Sequence, residues 1–285
     1  MEKPVRTFST VTGYFLQDDE GVDSNKFDYK HHNFGLKPQS SQDARATKSS
    51  WERFESTVQE LNETSSEKIS YKLLFIGRNG QSAQNVAEAL YGKDEFYEKW
   101  AMLDGDKKLS WKNPPLTDRG IKQAKEAIFY WLLQIVKENM SIPQSYYTSP
   151  QRRALDTVKY TYSNLSETDF VATVKEDLRA TNGVFTSDTR GSSSEIRAAY
   201  PNFNLEDGFA DDDELWDSEQ RETEIEQETR TRRFMEELFD KDDQTSISIT
   251  SHSGTIAALL KVIGHREFSL PPGHILPVLV RQTIS

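Results

Sequence analysis

The stretch Phe75-Ile76-Gly77-Arg78-Asn79-Gly80-Gln81-Ser82-Ala83-Gln84-Asn85 decides how the rest of the chain is read. An apolar run from Leu73 to Ile76 leads into it with the content of a buried strand, and Ala83 to Tyr91 reads as a helix. Strand, glycine-bearing turn and helix together outline a phosphate-binding turn, because the first N–H groups of a helix are unpaired and carry positive partial charge. Arg78 adds a full positive charge beside them. Gly77 to Gln81 hold no histidine, serine, cysteine or carboxylate to accept a phosphoryl group.

Working outward, "YKLLFIG" (71–77), "SYYTSP" (145–150), "SISITSHSG" (246–254) and "HILPVLV" (274–280) have the apolar and β-branched content of strands. Helices are expected at Ser50 to Leu61, at Pro150 to Tyr162, at Ser218 to Phe239 and at Gly254 to Ile263. A further helix follows Thr117 as cap, with Ile121, Ala124, Ile128, Trp131, Leu132 and Ile135 on one face. Alternating strands and helices predict an α/β domain with a mainly parallel sheet, whose ligands sit beyond the carboxyl ends of the strands. Three strands end suggestively: at Arg78-Asn79-Gly80, at Thr148-Ser149-Pro150 before Arg152 and Arg153, and at Ser251-His252-Ser253-Gly254. They are expected to open on one anion-binding crevice, with Arg78, one of Arg152 and Arg153, and His252 in it.

Composition narrows the function. With 285 residues, 35% hydrophobic and 11% aromatic, the chain can bury a sizeable core. It lacks cysteine, which excludes disulfides and thiolate chemistry. A net charge of −11 without a basic stripe argues against nucleic acid, and no apolar run is long enough for a membrane span, so a cytoplasmic protein without a membrane or nucleic-acid partner is expected. Residues 1–66 are polar and irregular, with "SSQDARATKSS" (40–50) as linker; they read as an extension wrapping a domain at 67–285. The oligomeric state is left open.

These motifs resemble the histidine phosphatase superfamily, with its phosphoglycerate mutase-like fold, and most of all a fungal phosphomutase-like branch. The resemblance runs from about Gly21 to Val280 through "RNGQSAQNVAEALYG", "LTDRGIKQA", "TSPQRRALDT", "DLRATNG", "DDELWDSEQRET" and "SHSGTIAALLKVIGH". It implies a three-layer α/β/α architecture, no cofactor and no metal. It also implies that Arg78, Arg153 and His252 held phosphoryl oxygens, with Asn79, Gln81, Ser82, Asn85, Phe185, Ser253 and Gly254 around the anion. Two expected groups are replaced. Asn79 matches the histidine that takes the phosphoryl group, and a carboxamide nitrogen is not a nucleophile. Ala180 matches the glutamate that protonates the leaving oxygen. Phe185 stands for a histidine and Thr189 for an arginine.

Three functions stay open at this stage. One is a repurposed enzyme of small-molecule biosynthesis, an isomerase, cyclase, lyase or hydrolase acting on a carboxylate, enolate or phosphate. There His252 would be the acid/base, as the pocket group titrating near neutrality, and Arg78 and Arg153 would bind the oxyanion. Another is a pseudophosphatase that binds an anionic ligand or a partner. The last is a phosphatase or phosphomutase with one inactivating change at Asn79, against which Ala180, Phe185 and Thr189 speak. Asp211 to Glu214 read as a solvated acidic turn in preference to a Mg²⁺ site, and His31 and His32 as surface residues. Asp188, Glu195 and His274 are further candidates for the crevice.

Overall fold

The computed structural model describes residues 4–38, 48–165 and 170–285; most of the expected linker at 40–50 lies outside them. Its helices are α1 (Ser50–Thr64), α2 (Ala83–Tyr91), the single turn α3 (Lys93–Glu95) running into a π turn at Phe96–Trp100, α4 (Asp118–Glu138), α5 (Arg152–Tyr162), α6 (Ser193–Ala199), α7 (Glu224–Lys241) and α8 (Ser253–Val262). The strands are β1 (Arg6–Thr10), β2 (Ile69–Arg78), β3 (Ser145–Thr148), β4 (Thr173–Val174), β5 (Asn204–Leu205), β6 (Ser246–Ser251) and β7 (Ile275–Ile284). They form one sheet in the order β1-β7-β2-β6-β3-β4-β5. Pairings from β2 through β5 are parallel, and β7 runs antiparallel to both β1 and β2. The mainly parallel α/β architecture is therefore present.

Both faces of the sheet are covered by helices. Successive strand side chains point to opposite faces, and in β3 Tyr146 meets Tyr162 of α5 at 4.9 Å while Tyr147 meets Phe234 of α7 at 5.7 Å. The α5 face carries an aromatic core in which Trp131 of α4 packs edge-on against Phe75 of β2 and tilted against Phe34. Of the extension expected at 1–66, the described segments 6–38 and 48–64 contribute to that core: β1 joins the sheet, and Phe15, Phe34, Trp51 and Phe54 are fully buried. Helix α7 begins at Glu224, later than expected. Thr223 caps it with Glu226 in a reciprocal box, while Glu222 is drawn into a backbone bond to Asn182.

The loop after β2 is held by contact between two backbones. A Cβ on Gly80 would lie 2.7 Å from the Gly120 carbonyl oxygen, and one on Gly120 would lie 2.1 Å from that of Gln81. Only glycine at both positions lets the turn rest on the first turn of α4.

Candidate functional site

The carboxyl ends of β2, β3 and β6 open on a cavity of about 300 Å³. Register explains the convergence: Arg78 pairs with Ser251 at the end of the β2–β6 ladder, so Arg78 and His252 emerge side by side. At the second residue of α5, Arg153 turns inward and is buried, whereas Arg152 is exposed on the outer side. Of the expected residues, Arg78, Asn79, Ser82, Asn85, Arg153, Phe185, His252, Ser253 and Gly254 line the cavity. Gln81 does not, and its expected place is corrected. Its side-chain oxygen accepts from the Thr117 hydroxyl at 2.9 Å and its N–H donates to Gln123, which pins it to the start of α4.

Asn79 occupies the position from which a nucleophile would face the cavity. Its amide Nδ2 donates to the Gly80 carbonyl at 2.9 Å, and its backbone N–H to Ser251. The side chain of Ala180 also lines the cavity, while its backbone is fixed at both ends, the N–H by Gln151 at 2.8 Å and the carbonyl by Arg230 at 3.0 Å. Ser82 and Asn85 form the α2 cap: the Asn85 Oδ1 accepts from the Ser82 N–H at 2.9 Å.

His252 departs from expectation. Its Nε2 lies 2.7 Å from the Ser149 hydroxyl, and its buried Nδ1 has no hydrogen-bond partner among the described residues. Burial, with Arg153, Arg230, Arg78 and Arg179 nearby, holds it well below the ordinary histidine pKa. It is a neutral imidazole at physiological pH, so the expectation of a group titrating near neutrality is corrected. The arginines themselves differ. Arg78 donates to the Leu270 carbonyl at 2.8 Å and has no ion pair among the described residues. Arg153 donates to the Ser187 carbonyl at 2.6 Å and faces Asp188 at 3.5 Å. Burial lowers both from the ordinary arginine value, opposed by Glu88 for Arg78 and by Asp188 for Arg153.

Several lining residues were not foreseen. Arg221 comes from the "RET" stretch; it donates to Asp188 at 2.7 Å and lies over the Phe185 ring at 4.3 Å. Lys93, Glu88 and Tyr97 complete the mouth. Asp188, left open by the sequence, is inside the cavity wall between two arginines, and burial raises its pKa in spite of them. Glu195 instead caps α6 through the Ser192 N–H at 2.8 Å, and His274 packs on Tyr29 beside a different cavity. Counting charges in the lining gives four cations (Arg78, Lys93, Arg153, Arg221) against two carboxylates (Glu88, Asp188), a local excess of positive charge in a protein of net −11. No His, Asp and Glu cluster able to hold a metal is found among the described residues.

The outer wall is a long loop clamped by ions. Arg179, fully buried, grips Asp213 with both nitrogens at 2.6 and 2.8 Å. Arg190 binds Glu176 and the carbonyls of Ala210, Asp211 and Asp212, so the acidic turn at 211–214 is a structural brace. Trp216 donates to the Phe185 carbonyl at 3.0 Å. Next to Phe185, Gly183 and Val184 both have positive φ, +84° and +66°. For a β-branched residue this is a strained conformation, and it turns Phe185 toward the cavity.

The geometry agrees with what the chain is similar to. The family model for the histidine phosphatase superfamily (branch 1) matches residues 104–276. A probable phosphoglycerate mutase of Arthroderma benhamiae is 43% identical, over 98% of this chain and 85% of the relative. Phosphomutase-like protein 3 of Candida albicans is 30% identical, over 96% of this chain and 79% of the relative. A probable phosphoglycerate mutase of Saccharomyces cerevisiae is 31% identical, over 75% and 80%. Among solved structures, a mycobacterial hydrolase aligns with 18% identity and a TM-score of 0.46, over 75% of this chain and 97% of the other. No helix among the described residues is long and apolar enough to cross a membrane.

Proposed function

We propose, from the premise that the chain belongs to the histidine phosphatase superfamily, that it binds a small phosphate-type anion and does not pass a phosphoryl group through a histidine. The observation that supports this reading is the convergence of Arg78, Arg153 and an unpartnered His252 Nδ1 on a cavity whose nucleophile position holds Asn79. The cations and the N-terminus of α8 supply attraction for an oxyanion. Mutase or phosphatase chemistry by transfer through a histidine requires a nucleophilic ring nitrogen and a proton donor for the leaving oxygen. Asn79 supplies no such nitrogen, and Ala180 no proton.

A repurposed biosynthetic enzyme with His252 as acid or base has less support, because a neutral imidazole with a strongly depressed pKa is a poor base. Calorimetric titration with inorganic phosphate, vanadate and sulfate, together with p-nitrophenyl phosphate hydrolysis, tests the reading. Anion binding to the wild type, weakened in Arg78→Ala, with no hydrolysis above buffer, is the expected result. Sustained hydrolysis, or a phosphorylated protein trapped from a phosphate donor, would overturn it.

A further inference from the structure

Arg78, Ser253 and Gly254 line a second cavity as well as the first, a groove of about 660 Å³ along α8. Its character is different. Where the anion cavity is lined almost entirely by charged and polar groups, the groove is backed by Ile256, Leu260, Phe268 and Leu270, each largely buried in the core, with Ala257 exposed at its surface. The junction is chemically marked, because the Arg78 guanidinium donates to the carbonyl of Leu270 in the groove wall. From Ser253 to Lys261 the helix advances about 12 Å, enough to accommodate a short aliphatic chain.

Charge along the groove fixes which end a ligand's head can occupy. Glu224, Glu228 and Glu267 stand along it, and Lys261 is committed to an ion pair with Glu228. A second anionic group would meet carboxylates there, while Arg78 offers a cation without an ion pair at the shared end. We propose that the ligand is an amphiphile with one anionic head, a phosphate ester of an aliphatic alcohol, its phosphate on Arg78 and its chain in the groove along α8. This inference rests on the anion site proposed above and names the class of molecule that site takes.

Calorimetry with inorganic phosphate, methyl phosphate, butyl phosphate and octyl phosphate, each as a monomeric solute, tests it. Each methylene that enters the groove should tighten binding by about fourfold, so butyl and octyl phosphate should bind progressively tighter than methyl phosphate. Ala257 is exposed on the α8 surface that borders the groove. Ala257→Trp, which fills the groove, and Ala257→Glu, which charges it, should each collapse the octyl-to-methyl affinity ratio, with an unchanged melting transition reporting intact folding. Methyl and octyl phosphate binding within twofold of each other, or an affinity ratio unmoved by both substitutions, overturns the amphiphile while leaving the anion site standing. Absence of binding by every phosphate, or equal binding to Arg78→Ala, overturns both.

Discussion

The cavity has two walls built on opposite principles. The sheet wall, with Arg78, Asn79, Arg153 and His252, is positioned by strand register and helix starts, and its polar atoms are left partly uncommitted. The loop wall from Glu176 to Glu222 is positioned by ion pairs, Arg179 on Asp213, Arg190 on Glu176 and Arg221 on Asp188 within it and Arg230 of α7 on Glu222. On the sheet wall Arg78 keeps its charge free of any ion pair among the described residues, although Arg153 faces Asp188, while the loop wall consumes its charges in holding itself. An arginine's presence near a site therefore says little; what it already binds decides its role.

The comparison can be broken most dramatically by restoring the missing chemistry to both walls. An imidazole at position 79 can donate Nδ1–H to the Gly80 carbonyl as the Asn79 amide does, which leaves Nε2 free for phosphorus. Asn79→His with Ala180→Glu should therefore produce measurable p-nitrophenyl phosphate hydrolysis, with the glutamate worth about 10²-fold or more over the single histidine change. A folded but inert double variant would assign the loss to Phe185 and Thr189 instead.

Next in size is the loop wall's dependence on its ion pairs. Arg179→Ala leaves Asp213 without its bidentate partner and should cost about 3–5 kcal/mol in urea unfolding. On the sheet wall the expected sign differs. Arg78→Ala should weaken phosphate by about 1.5–3 kcal/mol, the worth of a charged hydrogen bond, while leaving stability unchanged or slightly higher, since burial already weighs against its charge. Equal unfolding penalties for the two variants would erase the distinction.

The smallest effect sharpens the boundary between the walls, where Asp188 faces Arg153 and Arg221. Folding raises the Asp188 pKa above 3.8, so the neutral acid is the form that folding favours, and its share of stability is lost as pH rises through the raised value. Protonation on acidification releases both arginines. Sulfate, which keeps its charge, should bind several-fold tighter as pH falls from neutrality toward that pKa, and Asp188→Asn should flatten the rise. The His252 pKa is held well below 6.5 by burial and the neighbouring arginines, so its imidazole does not contribute to a rise that begins near neutrality.

Legibility in the sequence followed the same division. Arg78, Asn79, Arg153 and His252 each sit at a strand end or helix start a few residues from a recognisable pattern, and the structure brings these side chains together. Arg221 reaches the cavity from the quoted "DDELWDSEQRET" stretch and Lys93 from just beyond α2, neither at the end of a strand, so nothing in the sequence aimed them at the crevice. Arg179, Arg190 and Arg230 look no different in sequence from Arg78, since their carboxylate partners lie up to 34 residues away in the Arg179–Asp213 pair. Strands β4 and β5 have two residues each, too few for a periodicity to register. Gln81 looked like part of the phosphate turn because the signal was local, and a threonine 36 residues on claimed it. The lowered pKa of His252 arises from arginines on several elements, which only the assembled fold reveals.

The place of β7 between β1 and β2 governs how the chain can assemble during synthesis. Strand β1 is translated early, yet its partner is residues 275–284, so every hydrogen bond of that ladder spans some 270 positions, as from Thr10 to Val280. Until β7 emerges from the ribosome, β1 has no neighbour and the outer edge of β2 stays open, although the aromatic residues that follow β1 are available for collapse. Long-range closure of this kind is slow and leaves sticky strand edges exposed while it waits. A ribosome that stalls before residue 275 would therefore release an unsealed sheet, a species for chaperones to shelter or proteases to remove.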